Sequence, residues 1–319
     1  MRVLATGASG VLGRAVVRAL QDAGHVVRTL QRRPSGVPGA EDHLGSVTDP
    51  DATAAAVDGV DAVVHLAAKV SLAGDPGEFH AVNVEGTRTL LDAAAAAGVT
   101  RIVHVSSPSV AHAGHALAGV GAEPADPLGA RGEYARTKAQ AELLALSRAG
   151  DSASLVAIRP HLVWGPGDTQ LIARVVDRAR RGRLPLLNGG TALIDSTYVD
   201  NAASGIVAAL EHVDDVSGRA YVLTNGEPRP VGDLLAGICL ASGVRPPRFS
   251  IPAGLARAAG GLVERVWAVR PGADEPPMTR FLAEQLSTAH WFDQTEIRRD
   301  LRWKPAVSID EGLRRLARA

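Results

Sequence analysis

Several residue types are scarce in this chain of 319 residues. It has 1 cysteine, Cys239, so no internal disulfide can form, and the apolar residues around it predict a buried, unreactive thiol. Aromatic residues make up only 3 %, too few to build stacking platforms for single-stranded nucleic acid. Lys and Arg together number 34 and are balanced by 34 Asp and Glu, so no net charge attracts a polyanion. We therefore expect neither a disulfide scaffold nor a nucleic-acid partner.

Long hydrophobic runs are also absent, since none approaches the roughly 20 residues that span a membrane. The chain reaches Gly7 too early for a signal peptide, and we therefore expect a cytoplasmic protein. Apolar residues make up 46 % and charged residues 21 %, which is typical of a folded globular chain. The length indicates one large or two ordinary domains.

The first part of the chain alternates short β-rich runs with longer helical stretches, a pattern typical of βαβ units on a parallel sheet. Beyond residue 165 prolines become frequent and the helices are irregularly spaced, which predicts a second, smaller region. The predicted strands lie near Val3–Thr6, Val26–Leu30, Ala62–Leu66, Ile102–Ser106 and Leu155–Arg159, and the predicted helices near Val11–Ala23, Ala52–Val57, Phe79–Ala97 and Tyr134–Arg148.

A glycine-rich turn follows the first predicted strand and opens the first helix. Gly7 suits a tight turn, Gly10 lets the backbone approach a pyrophosphate, and Gly13 lets the helix pack on the strand. The helix N-terminus would supply unpaired N–H donors to the phosphates. The motif predicts dinucleotide binding on a Rossmann-type sheet; the alternative is a turn that uses glycine for its geometry only.

The second strand ends in Gln31 where dinucleotide folds often place an acidic residue, and Arg32 and Arg33 follow. Without a carboxylate there is no repulsion of a 2′-phosphate, and a guanidinium can pair with it. The sequence therefore favours NADPH, with NAD the less favoured cofactor. The alternative is two solvated loop arginines.

Tyr134 and Lys138 are spaced i, i+4 on a predicted helix, which places the phenol and the ammonium on one face. The chain has only 3 tyrosines, and its lysines are Lys69, Lys138 and Lys304, so a chance pairing is a poor explanation. At about 4.5 Å and an effective dielectric near 20, a lysine would lower the phenol pKa by close to three units. The pair predicts proton transfer by the tyrosine.

Ser107 stands just after the fourth of these strands, where doubly wound sheets bind ligands. Its hydroxyl can donate a hydrogen bond to a carbonyl oxygen; the alternative is a serine that only satisfies its loop. A metal site at His112 and His115 is not expected, because Gly114 lies between them and no third ligand is near in the sequence.

With these motifs in this order, the chain resembles the extended short-chain dehydrogenases/reductases over essentially its whole length. Gly7, Gly10 and Gly13 match the family pattern TGxxGxxG, and Tyr134 and Lys138 match YxxxK. The 3β-hydroxysteroid dehydrogenase/isomerase subgroup is the most similar, and within it the 2-alkyl-3-oxoalkanoate reductases of bacterial long-chain olefin biosynthesis. The segments that carry this narrower likeness are 107–110, 188–189, 194–198 and 276–286.

The resemblance implies an α/β fold, with a Rossmann-type doubly wound parallel sheet and a smaller mixed C-terminal substrate-binding lobe. The implied boundaries are a dinucleotide-binding domain over 1–164 and a mainly substrate-binding lobe over 165–319, with about 192–226 returning to the sheet. Tyr134, Lys138, Ser107 and Asn83 are the implied catalytic residues, with Asn83 in a relay to solvent. The implied cofactor-binding residues are Gly7, Ser9, Gly10, Val11, Gly13, Gln31, Arg32, Arg33, Ala67, Lys138 and Pro160.

The implied reaction is NADPH-dependent reduction of a hydrophobic 2-alkyl-3-keto acid to the 3-hydroxy acid. The alternatives are a steroid dehydrogenase, a sugar-nucleotide epimerase or dehydratase, and a non-enzymatic dinucleotide sensor or scaffold. The resemblance also implies a homodimer formed through two helices of the cofactor domain, the assembly that is common in the family.

An apolar stripe at helical spacing is predicted in the second region, formed by Leu255, Leu262, Val263, Val266 and Trp267. It can be plain core packing. It can also line an acyl channel, or lie against a membrane or a partner enzyme.

Overall fold

The computed structural model describes residues 1–71, 74–112, 114, 116–150, 152–268 and 280–319. Its strands are β1 (Arg2–Thr6), β2 (Val26–Gln31), β3 (Glu41–Leu44), β4 (Ala62–His65), β5 (Arg101–Val105), β6 (Leu117–Val120), β7 (Ser154–Pro160), β8 (Val163–Trp164), β9 (Leu186–Leu187), β10 (Leu193–Ile194), β11 (Thr197–Tyr198), β12 (Ala220–Leu223), β13 (Arg229–Pro230), β14 (Ser250–Ile251) and β15 (His290–Phe292).

The α-helices alternate with these strands through most of the chain. They are α1 (Val11–Asp22), α2 (Pro50–Val57), α3 (Pro76–His80), α4 (Gly86–Ala96), α5 (Glu133–Leu146), α6 (Leu171–Arg180), α7 (Val199–Glu211), α8 (Val231–Ala241), α9 (Ala253–Ala268), α10 (Arg280–Gln285), α11 (Thr295–Asp300) and α12 (Ile309–Leu316). A π-helical turn, Ala81–Glu85, joins α3 to α4, and short 3₁₀ turns span Pro108–Ala111 and Asn188–Gly190.

Seven parallel strands form the central sheet in the order β12-β7-β5-β4-β1-β2-β3. The chain builds one half outward from β1 through β3 and the other half outward from β4 through β12. The strand order therefore reverses between β1 and β4, and in such sheets ligands bind at the carboxyl ends of the strands beside that reversal. This confirms the predicted Rossmann-type doubly wound fold.

Alternating side chains of the sheet strands pack on opposite layers of helices. Val3 and Ala5 of β1 belong to a cluster with α1 and α7, and Leu4 belongs to a cluster with α2, α4 and α5. The strands are apolar on both faces because helices cover both. Helix α1 is amphipathic, since Gly13, Val16, Val17 and Leu20 are buried along one side.

Smaller elements lie beyond the carboxyl ends of β5 and β7. A four-stranded sheet has the order β13-β10-β15-β6, and β8 pairs with β11 and β9 with β14. Residues 220–223, within the segment expected to return to the central sheet, form its edge strand β12 beside β7. The division into two domains at residue 164 stays a prediction.

The predicted thiol environment is confirmed, since Cys239 of α8 is 0 % exposed and burial raises its pKa. Among the described residues, no helix combines the length and the apolar character that crossing a bilayer requires.

Candidate active site

The glycine-rich turn between β1 and α1 lies against the loop that follows β4. Gly7 has φ +72°, and a Cβ built there would lie 2.8 Å from the Cα of Ala67. A Cβ on Gly13 would lie 2.3 Å from the carbonyl oxygen of Gly7, so glycine is required for the helix to begin here. A Cβ on Gly10 would meet nothing closer than that same oxygen at 3.8 Å. Two glycines therefore shape the turn, and the third leaves open space in front of it.

The N-terminus of α1 faces this open space. No side chain caps the helix, its first turn holds no acidic residue, and Ser9 and Gly10 are exposed. The free N–H groups after Gly10, including that of Val11, carry partial positive charge. The residues present thus fit the pyrophosphate of a dinucleotide, with backbone donors and room for close approach.

A continuous hydrogen-bond chain ties the ends of β1 and β4 together. The Ala67 amide donates to Thr6 Oγ1 (3.0 Å), which lies 2.7 Å from His65 Nδ1. Thr87 Oγ1 donates to the Asn83 carbonyl oxygen (2.6 Å) and so accepts from His65 Nε2 (3.0 Å). The network assigns the proton of His65 to Nε2. Burial, and secondarily the charge of Lys138, lowers the pKa of His65 to about 3, which keeps the ring neutral.

Asn83, an expected relay residue, lies in the π-helical turn and is 1 % exposed. Its Oδ1 accepts from the Lys69 amide (2.7 Å), and its Nδ2 donates to Thr137 Oγ1 (3.0 Å), on the same helix as Tyr134 and Lys138. Asn83 thus joins the loop after β4 to α5. Its role in a relay stays a prediction.

The end of β2 differs from expectation in one respect. Gln31 is 6 % exposed, and its amide donates to Asp42 Oδ1 (3.3 Å), a carboxylate that comes from β3. Although burial raises the pKa of Asp42, hydrogen bonds from Thr29 and Ser35 lower it overall, so the side chain is charged. An acidic group therefore lies near the expected ribose position although β2 does not supply it.

Arg32 and Arg33 are exposed at this edge. Neither has an ion-pair partner among the residues that the structure describes. Their guanidinium groups are thus available for an anion of a ligand.

Helix α5 carries Tyr134 and Lys138 one turn apart, as the spacing predicted. Lys138 is 3 % exposed, and its Nζ donates to the carbonyl oxygen of Val105, the last residue of β5 (2.7 Å). Burial lowers the pKa of Lys138 to about 8, against the opposing effect of the nearby Glu142 carboxylate. Lys138 is therefore mostly protonated at neutral pH, and it loses its proton more readily than an exposed lysine does.

Tyr134 is partly exposed and forms a hydrogen bond with the Ser107 side chain. Burial raises the pKa of Tyr134, and the bond to Ser107 lowers it by less. The expected lowering of the phenol pKa by Lys138 is therefore wrong for this structure. Desolvation outweighs the hydrogen bond, and the Lys138 ammonium is hydrogen-bonded to a main-chain carbonyl.

Ser107 follows β5 and caps the 3₁₀ turn that comes after it. Its Oγ accepts from Ser109 Oγ (2.9 Å) and from the Ser109 amide (3.3 Å). The Ser106 amide donates to the carbonyl oxygen of Ile158 in β7 (2.6 Å), which sets the end of β5 beside the strand that ends at Pro160. The serine oxygen is thus fixed by its own turn, and its proton can be donated to the Tyr134 phenol or to a ligand.

The sequence analysis missed a buried ion pair beneath Lys138. Arg159 of β7 donates through Nε to Glu142 Oε2 (2.9 Å), and the two side chains are 2 % and 1 % exposed. Glu142 lies four residues after Lys138, so the i, i+4 spacing on α5 was the available signal. The pair places a carboxylate under the ammonium and balances it with a guanidinium.

Buried histidines lie near the carboxyl ends of β5 and β7. His161 Nε2 and His290 Nδ1 have no hydrogen-bond partner among the described residues, and burial lowers the pKa of these rings to about 3 and about 4. The His112 ring packs 4.8 Å from that of His290. His115 lies outside the described residues, and within them no group of three potential ligands is arranged for a metal.

The predicted residues thus fall into three places along one edge of the sheet. Gly7, Gly10, Gly13 and Ala67 line the reversal between β1 and β4. The second group, at the end of β2, comprises Gln31, Arg32 and Arg33, and the third, at the ends of β5 and β7, comprises Ser107, Tyr134, Lys138 and Pro160. Such an arrangement can hold a dinucleotide across the sheet and bring a phenol and a serine hydroxyl to one reacting oxygen.

Known proteins are similar to this chain in sequence and in fold. The sequence model of a family described as the NAD dependent epimerase/dehydratase family matches residues 3–224. Over 325 residues the chain is 42 % identical to a 2-alkyl-3-oxoalkanoate reductase of Stenotrophomonas maltophilia, with 99 % of this chain and 98 % of that protein covered. It is 34 % identical over 329 residues to a 3 beta-hydroxysteroid dehydrogenase/Delta 5→4-isomerase of Mycobacterium tuberculosis, covering 98 % and 88 %.

Among solved structures, a short-chain dehydrogenase/reductase superfamily protein from Agrobacterium tumefaciens with bound NAD superposes with a TM-score of 0.78. It is 27 % identical, and the match covers 100 % of this chain and 96 % of that one. The similarity extends over both the central sheet and the smaller elements beyond it.

Proposed function

Because the chain belongs to the NAD dependent epimerase/dehydratase family and is an oxidoreductase of the short-chain dehydrogenase/reductase type, we propose that it reduces a 2-alkyl-3-keto fatty acid to the 2-alkyl-3-hydroxy acid with NADPH. The observation that carries the proposal is the placement of Tyr134 one helical turn from the buried Lys138, whose Nζ bonds the end of β5 next to Ser107. The substrate class is supported by the full-length likeness to the Stenotrophomonas reductase. Long-chain olefin biosynthesis is the proposed context.

Each of the three side chains has its own role in the proposed reduction. The dinucleotide, when bound, supplies the hydride that goes to the keto carbon. Tyr134 gives its proton to the keto oxygen as negative charge develops there, and Ser107 donates a hydrogen bond to that oxygen. A raised phenol pKa suits this direction, because the tyrosine is protonated at neutral pH and ready to act as the acid. Lys138 binds the nicotinamide ribose in this proposal, and Ser107 stabilises the phenolate that remains by a hydrogen bond.

NADPH is proposed over NADH because Arg32 and Arg33 are exposed at the end of β2 and free for a 2′-phosphate. Asp42, which its hydrogen bonds from Thr29 and Ser35 keep charged, would repel that phosphate, so the two guanidinium groups have to outweigh one carboxylate. The two arginines therefore decide the choice in this proposal.

The assembly proposed is a homodimer formed through α4 and α5. These two helices pack side by side, and α5 leaves Leu143 45 % exposed. A cytoplasmic location is supported by the lone, buried Cys239, which can form no internal disulfide.

The deciding experiment is a substrate panel assayed with NADPH and NADH side by side. We expect NADPH absorbance to decay with a 2-alkyl-3-keto acid and to persist with a steroid ketone or a sugar nucleotide. Turnover of the steroid or the sugar nucleotide alone would move the enzyme to another substrate class. Tight NADPH binding without turnover of any ketone would favour a dinucleotide sensor and overturn the proposal.

A further inference from the structure

Helix α9 has its apolar residues on the outside. The small residues Ala253 and Ala256 are 1 % and 2 % exposed, and they pack with Leu187 and with Ala283 of α10. Leu255 and Leu262 are 66 % and 64 % exposed. An amphipathic helix of an isolated globular chain buries its large apolar residues, so this one presents its leucines to something other than its own core.

The exposed side of α9 forms one continuous apolar face. Leu255, Ala258, Ala259 and Leu262 lie at i, i+3, i+4 and i+7, and all four are exposed. Phe249, just before β14, is 48 % exposed and precedes the helix by four residues. The predicted stripe is therefore not plain core packing at Leu255 and Leu262. The side chains of Val266 and Trp267 lie outside the described residues.

Positive charge predominates in the sequence around this face. From residue 234 to the end of α9 at Ala268 the chain contains Arg245, Arg248, Arg257 and Arg265 but a single acidic residue, Glu264. Arg245 and Arg248 are exposed, and neither forms an ion pair within the described part of the chain. Glu284 of the neighbouring α10 is only 4 % exposed. In a chain whose charges otherwise balance, this segment is locally cationic.

We infer that the α9 face, defined as Phe249, Leu255, Ala258, Ala259 and Leu262 with Arg245 and Arg248, docks peripherally on an anionic lipid bilayer. Leucines on one side and arginines nearby are what an interfacial helix needs, because its apolar face enters the acyl boundary while the guanidinium groups meet the phosphates. A second copy of this chain would bring arginine against arginine at such a face. The inference does not depend on the proposed reaction.

The test is co-sedimentation of the full chain, without substrate, with two kinds of vesicle: phosphatidylcholine alone, and phosphatidylcholine mixed with phosphatidylglycerol. We expect binding to the mixed vesicles that weakens with salt.

Exchanging Leu255→Gln together with Leu262→Gln lowers the partition coefficient at least about tenfold. Exchanging Arg245→Gln with Arg248→Gln also lowers it roughly tenfold or more, at about fivefold per arginine. The matched control is Val26→Gln, which removes a 56 % exposed apolar side chain at the opposite end of the central sheet and leaves binding unchanged.

Circular dichroism and size exclusion of each variant separate docking from folding and assembly. Absence of wild-type binding to the mixed vesicles overturns the inference, as does equal binding by wild type and the double leucine variant. A double leucine variant that folds but loses its dimer also overturns it, because the face is then an interface between copies of the chain.

Discussion

The two halves of the site differ in whether their buried polar atoms have hydrogen-bond partners. Between β1 and β4, Thr6, His65, Thr87 and Asn83 form a chain in which each side-chain polar atom has a partner. At the ends of β5 and β7, Ser106 Oγ and both ring nitrogens of His104 are buried without one among the described residues. Hydrogen-bonded networks hold a fixed shape, whereas buried polar atoms without a partner remain available to a ligand. We therefore call the first half the cradle, and in our proposal the second half is the one in which the proton moves.

The largest expected effect comes from the reactive half. Tyr134→Phe removes the proton donor and leaves the glycine cradle untouched, so turnover should fall at least about 10²-fold while NADPH affinity changes by only a few fold. Steady-state kinetics and fluorescence titration of NADPH measure the two quantities. Near-normal turnover would refute the assignment, and an equal loss of NADPH affinity would show that the two halves are not separate.

A pair of alanine variants tests the cradle in the same way. Gly13→Ala forces a Cβ to within 2.3 Å of the Gly7 carbonyl oxygen and should lower the free energy of unfolding by about 3 kcal/mol. Gly10→Ala meets only open space within the protein, so we expect at most about 1 kcal/mol of stability loss but roughly tenfold weaker dinucleotide binding. Thermal unfolding and NADPH titration of both variants show which glycine the fold of the turn requires and which one lets the dinucleotide approach the backbone. Unchanged affinity in Gly10→Ala would contradict the phosphate site.

The cradle was also the more predictable half. Glycine spacing and apolar strand runs are local signals, and the five predicted strands were confirmed to within about two residues at each end. The predicted helix Phe79–Ala97 is interrupted by the π-helical turn, whose register is set by the Asn83 bonds to Lys69 and Thr137. Strand β3 was missed because its sequence, Glu-Asp-His-Leu, carries no β signal and is recruited by pairing with β2.

Electrostatics in the reactive half could not be predicted from spacing. The i, i+4 rule placed Tyr134 and Lys138 on one helix correctly, but the sign of the Tyr134 pKa shift depends on burial and on where the Lys138 Nζ donates. The Asp42 carboxylate reaches Gln31 from another strand, and Arg159 reaches Glu142 from the strand against which α5 packs. Contacts between distant segments carry this information, and no local pattern announces them.

A smaller effect on the kinetics is expected at the end of β2, where Arg32 and Arg33 lie. Arg32→Gln with Arg33→Gln removes two guanidinium groups that form no ion pair with any residue that the structure describes, and it should raise the KM for NADPH roughly tenfold. The KM for NADH should change less than about threefold, because NADH lacks the 2′-phosphate. Parallel kinetics with both cofactors measure the ratio. Equal losses for the two would mean that the arginines support the fold of this edge and do not select the cofactor.

The finest test concerns the ion pair beneath Lys138. Since the pKa of Lys138 is about 8, the ammonium is lost as pH rises through that value, and kcat/KM for reduction should fall there. Glu142 raises the pKa of Lys138, so Glu142→Gln should move this descending limb to lower pH. Arg159→Gln leaves the Glu142 carboxylate unbalanced and should move the limb to higher pH. Glu133→Gln, on the same helix but with its carboxylate paired to Arg136, is the control and should leave the limb in place.

Each exchange at the buried pair also costs about 3 kcal/mol of stability, because it leaves one charge without its partner. Circular dichroism at the assay temperature therefore accompanies each pH profile. General destabilisation would shift the pH profiles of Glu142→Gln and Arg159→Gln in the same direction or leave both unchanged. An electrostatic effect on Lys138 shifts the two profiles in opposite directions. Opposite shifts would identify Glu142 and Arg159 as positioning residues that act through Lys138, and parallel shifts would assign the pair to the fold alone.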